Sequence, residues 1–195
     1  MKWRLAYYAA CALVLAGIVH ICVVLLIPKY GTQDAYALIA RKTDPFSFRR
    51  IDGRGADAWL TDIDPFFAYG VCRFELAESG LRMTGPRIDS FWSASVLDED
   101  GSVIYSLNSR TAIDNRLDLI LLDPVQILRL REVQPVEAES AIVVEAKIAA
   151  GFVVLRVLTP DSSFTGKSNS FLQAVGCKPY LPGGTPDTPT SGINR

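Results

Sequence analysis

From Leu5 to Ile27 the chain carries no Asp, Glu, Lys or Arg, and His20 is the single strongly polar side chain in that run. As a helix, residues 5–27 would be roughly 35 Å long, enough to cross a hydrocarbon core of about 30 Å with slight tilt. Pro28, Lys29 and Gly31 end the run, and Trp3, Tyr7, Tyr8 and Tyr30 stand where interfacial aromatics are expected. The sequence therefore predicts one spanning helix, with the lipid bilayer as its partner over residues 5–27. The competing reading is a cleaved secretory signal, for which Lys2 and Arg4 form a suitable start. The run is longer than a signal's apolar stretch, and Ile27-Pro28-Lys29-Tyr30 lacks the small residues of a cleavage site. Neither Cys11 nor Cys22 sits in a lipobox.

Basic residues on the two sides of the span nearly balance: Lys2 and Arg4 before it, Lys29, Arg41 and Lys42 after it. A long domain translocates largely regardless of charge, so the expected topology has a cytoplasmic N-terminus and an exported C-terminal domain. Cys72 and Cys177 are the two cysteines outside the span. Such a pair fits a structural disulfide in an oxidising compartment; two buried free thiols are the alternative. From Tyr30 onward there are 17 basic and 21 acidic residues, a net charge of about −4. Nucleic acid is no expected partner, since binding it needs clustered Lys and Arg. The nearest approach to a cluster, Arg41, Lys42, Arg49, Arg50 and Arg54, is placed beside lipid headgroups instead.

Residues 1–29 thus read as leader and anchor. Over residues 30–56, Thr32 caps a short helix to about Lys42, with Ala35, Leu38 and Ile39 at helical spacing, followed by an irregular connector. Residues 57–178 read as a strand-rich domain, with strands over Phe66–Leu76, Leu81–Thr84, Phe91–Leu97, Val103–Leu107 and Leu117–Leu122. Asp98-Glu99-Asp100-Gly101 closes a hairpin, and Asp123 caps a helix with Pro124 at its first position. Ala141–Ile148 and Phe152–Leu158 read as a second hairpin about Ala149-Ala150-Gly151. A last helix is expected from Ser168 to Val175, and residues 179–195 form a disordered tail. The fold class is mainly β with short helices, an antiparallel sandwich or jelly-roll-like domain behind one N-terminal transmembrane helix. Phe66, Phe74, Phe91, Trp92 and Phe152 are its expected core aromatics.

The anchor ending Ile-Pro-Lys-Tyr-Gly-Thr, the stretch Asp64-Pro65-Phe66-Phe67-Ala68-Tyr69-Gly70-Val71-Cys72-Arg73-Phe74, and Phe91-Trp92-Ser93 leading to Asp98 and Gly101 carry a resemblance. From anchor to Cys177 the chain resembles the bacterial membrane-anchored family known as domain of unknown function 1254. The resemblance implies a bacterial inner-membrane protein with a β-rich periplasmic domain, working beside a second membrane protein, and larger soluble relatives similar to jelly rolls. It carries over no catalytic residues.

Motifs for chemistry are sparse. His20 is the one histidine and lies in the anchor, so the domain has no imidazole for a Ser-His-Asp, Cys-His or zinc site. Gly166-Lys167-Ser168 has Asp161 where a phosphate loop needs Gly, and reads as a polar strand-to-helix loop. Gly53-x-Gly55-x-x-Ala58 lacks the βαβ frame of a dinucleotide site. Asp98, Glu99 and Asp100 lack calcium-loop spacing, and Asp62 with Asp64 reads as turn chemistry. No cofactor, metal or catalytic residue is assigned. The expected function is a non-catalytic interaction or structural module; the alternative is a small-ligand-binding or carboxylate-based enzyme domain. In the anchor, Ala9, Ala12, Ala16 and His20 fall near one side of the helix, a face for packing against a second copy or another membrane protein. The bland alternative is an ordinary alanine-containing span whose His20 meets interfacial water.

Overall fold

The computed structural model describes residues 2–51 and 63–183, with the backbone alone over 28–35. The connector motif at Gly53–Ala58, the Asp62 carboxylate and the tail beyond residue 183 lie outside the described residues. One helix, α1 (Lys2–Lys42), contains the apolar run and continues past it. The expected break at Pro28–Gly31, with a new helix capped by Thr32, is corrected: the backbone is helical through both. A proline removes one N–H bond and displaces one carbonyl, a local penalty that a long helix can absorb by bending. The true stop is Thr43, whose buried hydroxyl and backbone N–H both donate to the Ile39 carbonyl, at 2.7 and 2.9 Å. The Arg49 guanidinium donates to the Lys42 carbonyl and places positive charge at the negative end of the helix.

Among the described residues nine strands form two sheets. The first has the order β1 (Phe48–Ile51), β2 (Phe67–Glu75), β8 (Ala150–Leu158), β4 (Trp92–Asp98), β5 (Val103–Asn108), all antiparallel. The second has the order β7 (Ile142–Glu145), β6 (Leu117–Leu122), β3 (Gly80–Gly85), β9 (Gly176–Tyr180), antiparallel except for β6 with β7. The domain is therefore mainly β, as its alternating segments predict. Helices α2 (Pro124–Val133) and α3 (Ser162–Ala174) connect strands. Asp123 caps α2 with Pro124 at the first position, and Gln126 completes a reciprocal capping box. Gly101 takes a left-handed φ of 77° in the hairpin, where a side chain would be strained.

Both sheets feed one core. Cys72, Phe74, Trp92, Val96, Val153 and Leu155 from the first meet Leu81, Met83, Leu119, Leu121, Val144 and Cys177 from the second, with Phe171 and Leu172 of α3. β6 is apolar on both sides for a reason visible in its neighbours. Leu119 and Leu121 join the central core, while Ile120 and Leu122 pack under Ile127 of α2.

Four expectations are corrected. Ala141–Ile148 and Phe152–Leu158 form no hairpin: β7 joins β6 in parallel after the α2 crossover, and β8 lies between β2 and β4. Period-two alternation reads alike in a hairpin and in strands of two sheets. Gly166-Lys167-Ser168 is no loop but the middle of α3, which starts at Ser162 behind an Asp161 cap. Phe66 and Phe91 are exposed, unlike Phe74, Trp92 and Phe152, and stand just before β2 and β4 rather than within them. Pro179 and Tyr180 belong to β9, paired with β3, so the disordered tail cannot begin at residue 179.

Candidate functional site

The feature that sets this domain apart is the seat of α1 on the first sheet. Ile39 is 4% exposed and shares a cluster with Ile51, Val71 and Phe152, on the face turned away from the central core. The Tyr36 ring packs against Phe152 with centroids 6.3 Å apart. The Arg73 guanidinium lies beside the Tyr36 hydroxyl. Burial first, and the Glu99 carboxylate second, push the Tyr36 hydroxyl above its ordinary 10.0, against the pull of Arg73. Arg73 also pairs with Glu75 at 3.2 Å, and its Nε is buried without a hydrogen-bond partner among the described residues. The chain then folds back over Arg73, whose carbonyl accepts from Phe46 N at 2.8 Å. Tyr36, Ile39 and Arg73 thus make a polar-tipped apolar contact that fastens helix to sheet. The sequence signal for it was the helical spacing through Ile39; the recipient surface, Val71 and Phe152, is spread over two distant strands.

Cys72 and Cys177 are joined by a disulfide, with Cα atoms 6.5 Å apart and 105 residues of separation. Cys72 lies on β2 and Cys177 on β9, so the bond ties one sheet to the other through the core. Cys11 and Cys22 are free and exposed on α1. Ala12, Ala16 and His20 are exposed on the same helix, which no other described residue covers over the apolar segment.

Several polar side chains elsewhere are occupied structurally, while the buried Tyr180 hydroxyl has no hydrogen-bond partner among the described residues. Arg82 grips Asp118 with two bonds of 3.1 and 3.0 Å, donates to the Glu137 carbonyl, and lies 5.9 Å from the Tyr180 ring centroid. The Asp118 hydrogen bond holds the Arg82 guanidinium above its usual range, against the desolvation that burial imposes. Asn115, held at a left-handed φ of 54°, accepts from Trp92 Nε1 at 3.0 Å and donates to the Ile88 carbonyl at 2.7 Å. Ser168 is fully buried and accepts from the Thr159 hydroxyl at 2.9 Å, which leaves it no role in binding phosphate. Asp98 accepts from Ser102 N at 2.7 Å across the hairpin. Among the described residues no three His, Cys, Asp or Glu side chains are grouped to hold a metal ion. An open cleft of about 400 Å³ is lined by Thr84, Pro86, Asp114, Arg116, Asp118 and Ser140 among others.

No protein-family profile matches the chain, and no curated protein does. Solved structures similar in fold include two from bacteria. The VPA0106 protein of Vibrio parahaemolyticus aligns over 87% of this chain at 12% identity and a TM-score of 0.58. An uncharacterised protein of Burkholderia cenocepacia aligns over 77% at 16% identity and a TM-score of 0.50. This chain spans about two fifths of each, 40% and 38% of their lengths.

Proposed function

We propose that the protein is a single-pass inner-membrane protein whose β domain, an antiparallel sandwich of jelly-roll type, stands in the periplasm as a non-catalytic interaction module. The observation that carries this reading is the helix α1. Its apolar segment, within Lys2–Ile27, reaches a mean hydropathy of 2.9 over 18 residues with no burial against the protein, while its far end is seated on the domain through Ile39. An apolar helix of that length with no protein around it needs a lipid environment. A signal sequence passes the same test of length and composition, but the same helix continues into the fold's own packing. The Cys72–Cys177 disulfide favours an oxidising compartment. The motifs from Asp64 to Gly101 favour membership of the family of domain of unknown function 1254, and a second membrane protein is the partner such a module would serve. A reporter fused to the C-terminus tests the topology: an enzyme active only after export should work there, and activity of a cytoplasm-only reporter would refute it.

A second reading rests on the cleft at Asp114, Arg116 and Ser140, where Asp114 and Asn115 both hold left-handed backbone. Strained residues at a polar cleft are compatible with a small-ligand site or a carboxylate-based enzyme. Arg116→Ala would abolish such binding and leave membrane association unchanged.

A further inference from the structure

The contacts of α1 fix the direction in which it crosses the first sheet. Ile39 packs with Val71 and with Ile51, which stands opposite Tyr69 in the first half of β2. Tyr36, three residues earlier, lies on Phe152, the partner of Arg73 across the strands, and has Arg73, Glu75 and Glu99 beside it. Read backward from Ile39 to Tyr36, the helix therefore moves toward the end of the domain where β2 stops at Glu75 and β4 stops at Asp98. At that same end β8 begins at Ala150, β5 at Val103 and β3 at Gly80, while β6 ends at Leu122 and β9 at Tyr180. Beyond Tyr36 the helix continues outward to Ile27, the last residue of its apolar segment.

Magnitudes bring this end close to the lipid. Nine helical residues place Tyr36 about 14 Å beyond the apolar segment, and the headgroup layer takes roughly 5–8 Å of that. The 98–102 hairpin tip projects past the Phe152–Leu97 pair by three residues or so, about 10 Å of strand. The tip therefore arrives at headgroup depth. Apolar side chains accompany it: Val103, Ile104, Val125 and Leu181 are exposed at 61%, 38%, 59% and 53%, and all lie next to strand ends on this side. Glu78, Glu99 and Asp100, also at this end, oppose approach to an anionic surface and suit a zwitterionic one.

We propose that the domain end formed by the 98–102 hairpin, the 76–79 turn and residues 181–183 is its bilayer-facing surface, resting against zwitterionic lipid headgroups. This rests on the anchored reading above. The test uses the full chain carrying Cys11→Ser and Cys22→Ser, reconstituted in phosphatidylcholine vesicles with a nitroxide quencher on a fraction of the headgroups. A fluorophore is attached at Asp100→Cys or, at the opposite end of β5, at Arg110→Cys. Quenching several-fold stronger at position 100 than at 110 is the expected result. Equal or stronger quenching at 110, or none at either while the protein floats with the vesicles, overturns the orientation. A protein that no longer floats with the vesicles removes the anchored reading, and this proposal with it.

Discussion

Cys72 and Cys177 stand in different sheets, on β2 and β9, and the bond between them passes through the shared core with Cα atoms 6.5 Å apart. β9 is the edge strand of the second sheet, held on one side only by β3. The bond fixes that edge to a central pairing of the first sheet, where β2 lies between β1 and β8. Without it the last strand would depend on five paired residues and on the apolar contacts of Phe171 and Leu172 in the helix before it.

The cross-link closes a loop of 105 residues. Chain-entropy arguments for such a loop give a ceiling of about 4.7 kcal/mol, and native disulfides commonly contribute about 2–4 kcal/mol. Cys72→Ala/Cys177→Ala should lower the unfolding free energy by that amount in denaturant titrations of the detergent-solubilised protein. Mass analysis after thiol blocking should find two reactive cysteines, Cys11 and Cys22, before reduction. Four reactive cysteines in oxidised material would contradict the bond.

Ile39→Ala tests whether the end of α1 belongs to the domain. Ile39 is nearly fully buried against Ile51, Val71 and Phe152, so truncation leaves a cavity at the helix–sheet contact. Losing a buried isoleucine side chain costs about 2–5 kcal/mol, with the lower end expected where one wall is a helix free to shift. Amide exchange should rise over residues 36–43 and along β1, and stay unchanged in β3 and β6. Uniform acceleration across both sheets would mean the contact is not local.

Local chemistry was legible in the sequence and long-range pairing was not. Asp123-Pro124 specifies a helix start by itself, because the cap and the fixed φ act within four residues, and α2 begins there. Gly101 marks its hairpin for the same reason. The β7–β8 expectation failed because pairing partners are chosen by packing: Val144 and Val153 share one core but hydrogen-bond to different sheets. Pro179 suggested a chain end, yet proline is accepted on an edge strand such as β9. The helix seat escaped for a related reason. Ala35, Leu38 and Ile39 are visible as a helical stripe and Tyr36 is not part of it, while Arg73 and Phe152, which receive Tyr36 and Ile39, are 79 positions apart on neighbouring strands.

Three tyrosines should make the fold sensitive to alkali. Tyr36, Tyr69 and Tyr180 are each raised above 10.0, with burial as the leading cause. A phenol whose folded pKa exceeds its unfolded value contributes stability that is fully present below the unfolded value and lost as pH rises through the folded one. Unfolding midpoints should therefore hold steady up to about pH 10, the ordinary tyrosine value, and fall above it. Tyr36→Phe should shrink that alkaline decline, since a phenyl ring keeps the Phe152 contact and cannot ionise. An unchanged decline in this variant would assign the effect to Tyr69 and Tyr180.

The anchor itself offers the last test. Ala12, Ala16 and His20 follow one another at steps of four, so successive side chains drift by only about 40° around the helix. All three are exposed, with no other part of the chain laid over them among the described residues. Small side chains let a second helix approach closely in lipid, and an imidazole inside the apolar segment gains from a hydrogen-bond partner there. If this face packs against another helix, Ala12→Leu and Ala16→Leu should weaken crosslinking in native membranes by filling the contact. His20→Leu should weaken it less, since interhelical hydrogen bonds in membranes average about 0.6 kcal/mol. Crosslinks that survive all three substitutions would leave α1 as an anchor alone, and would move the search for a partner to the β domain.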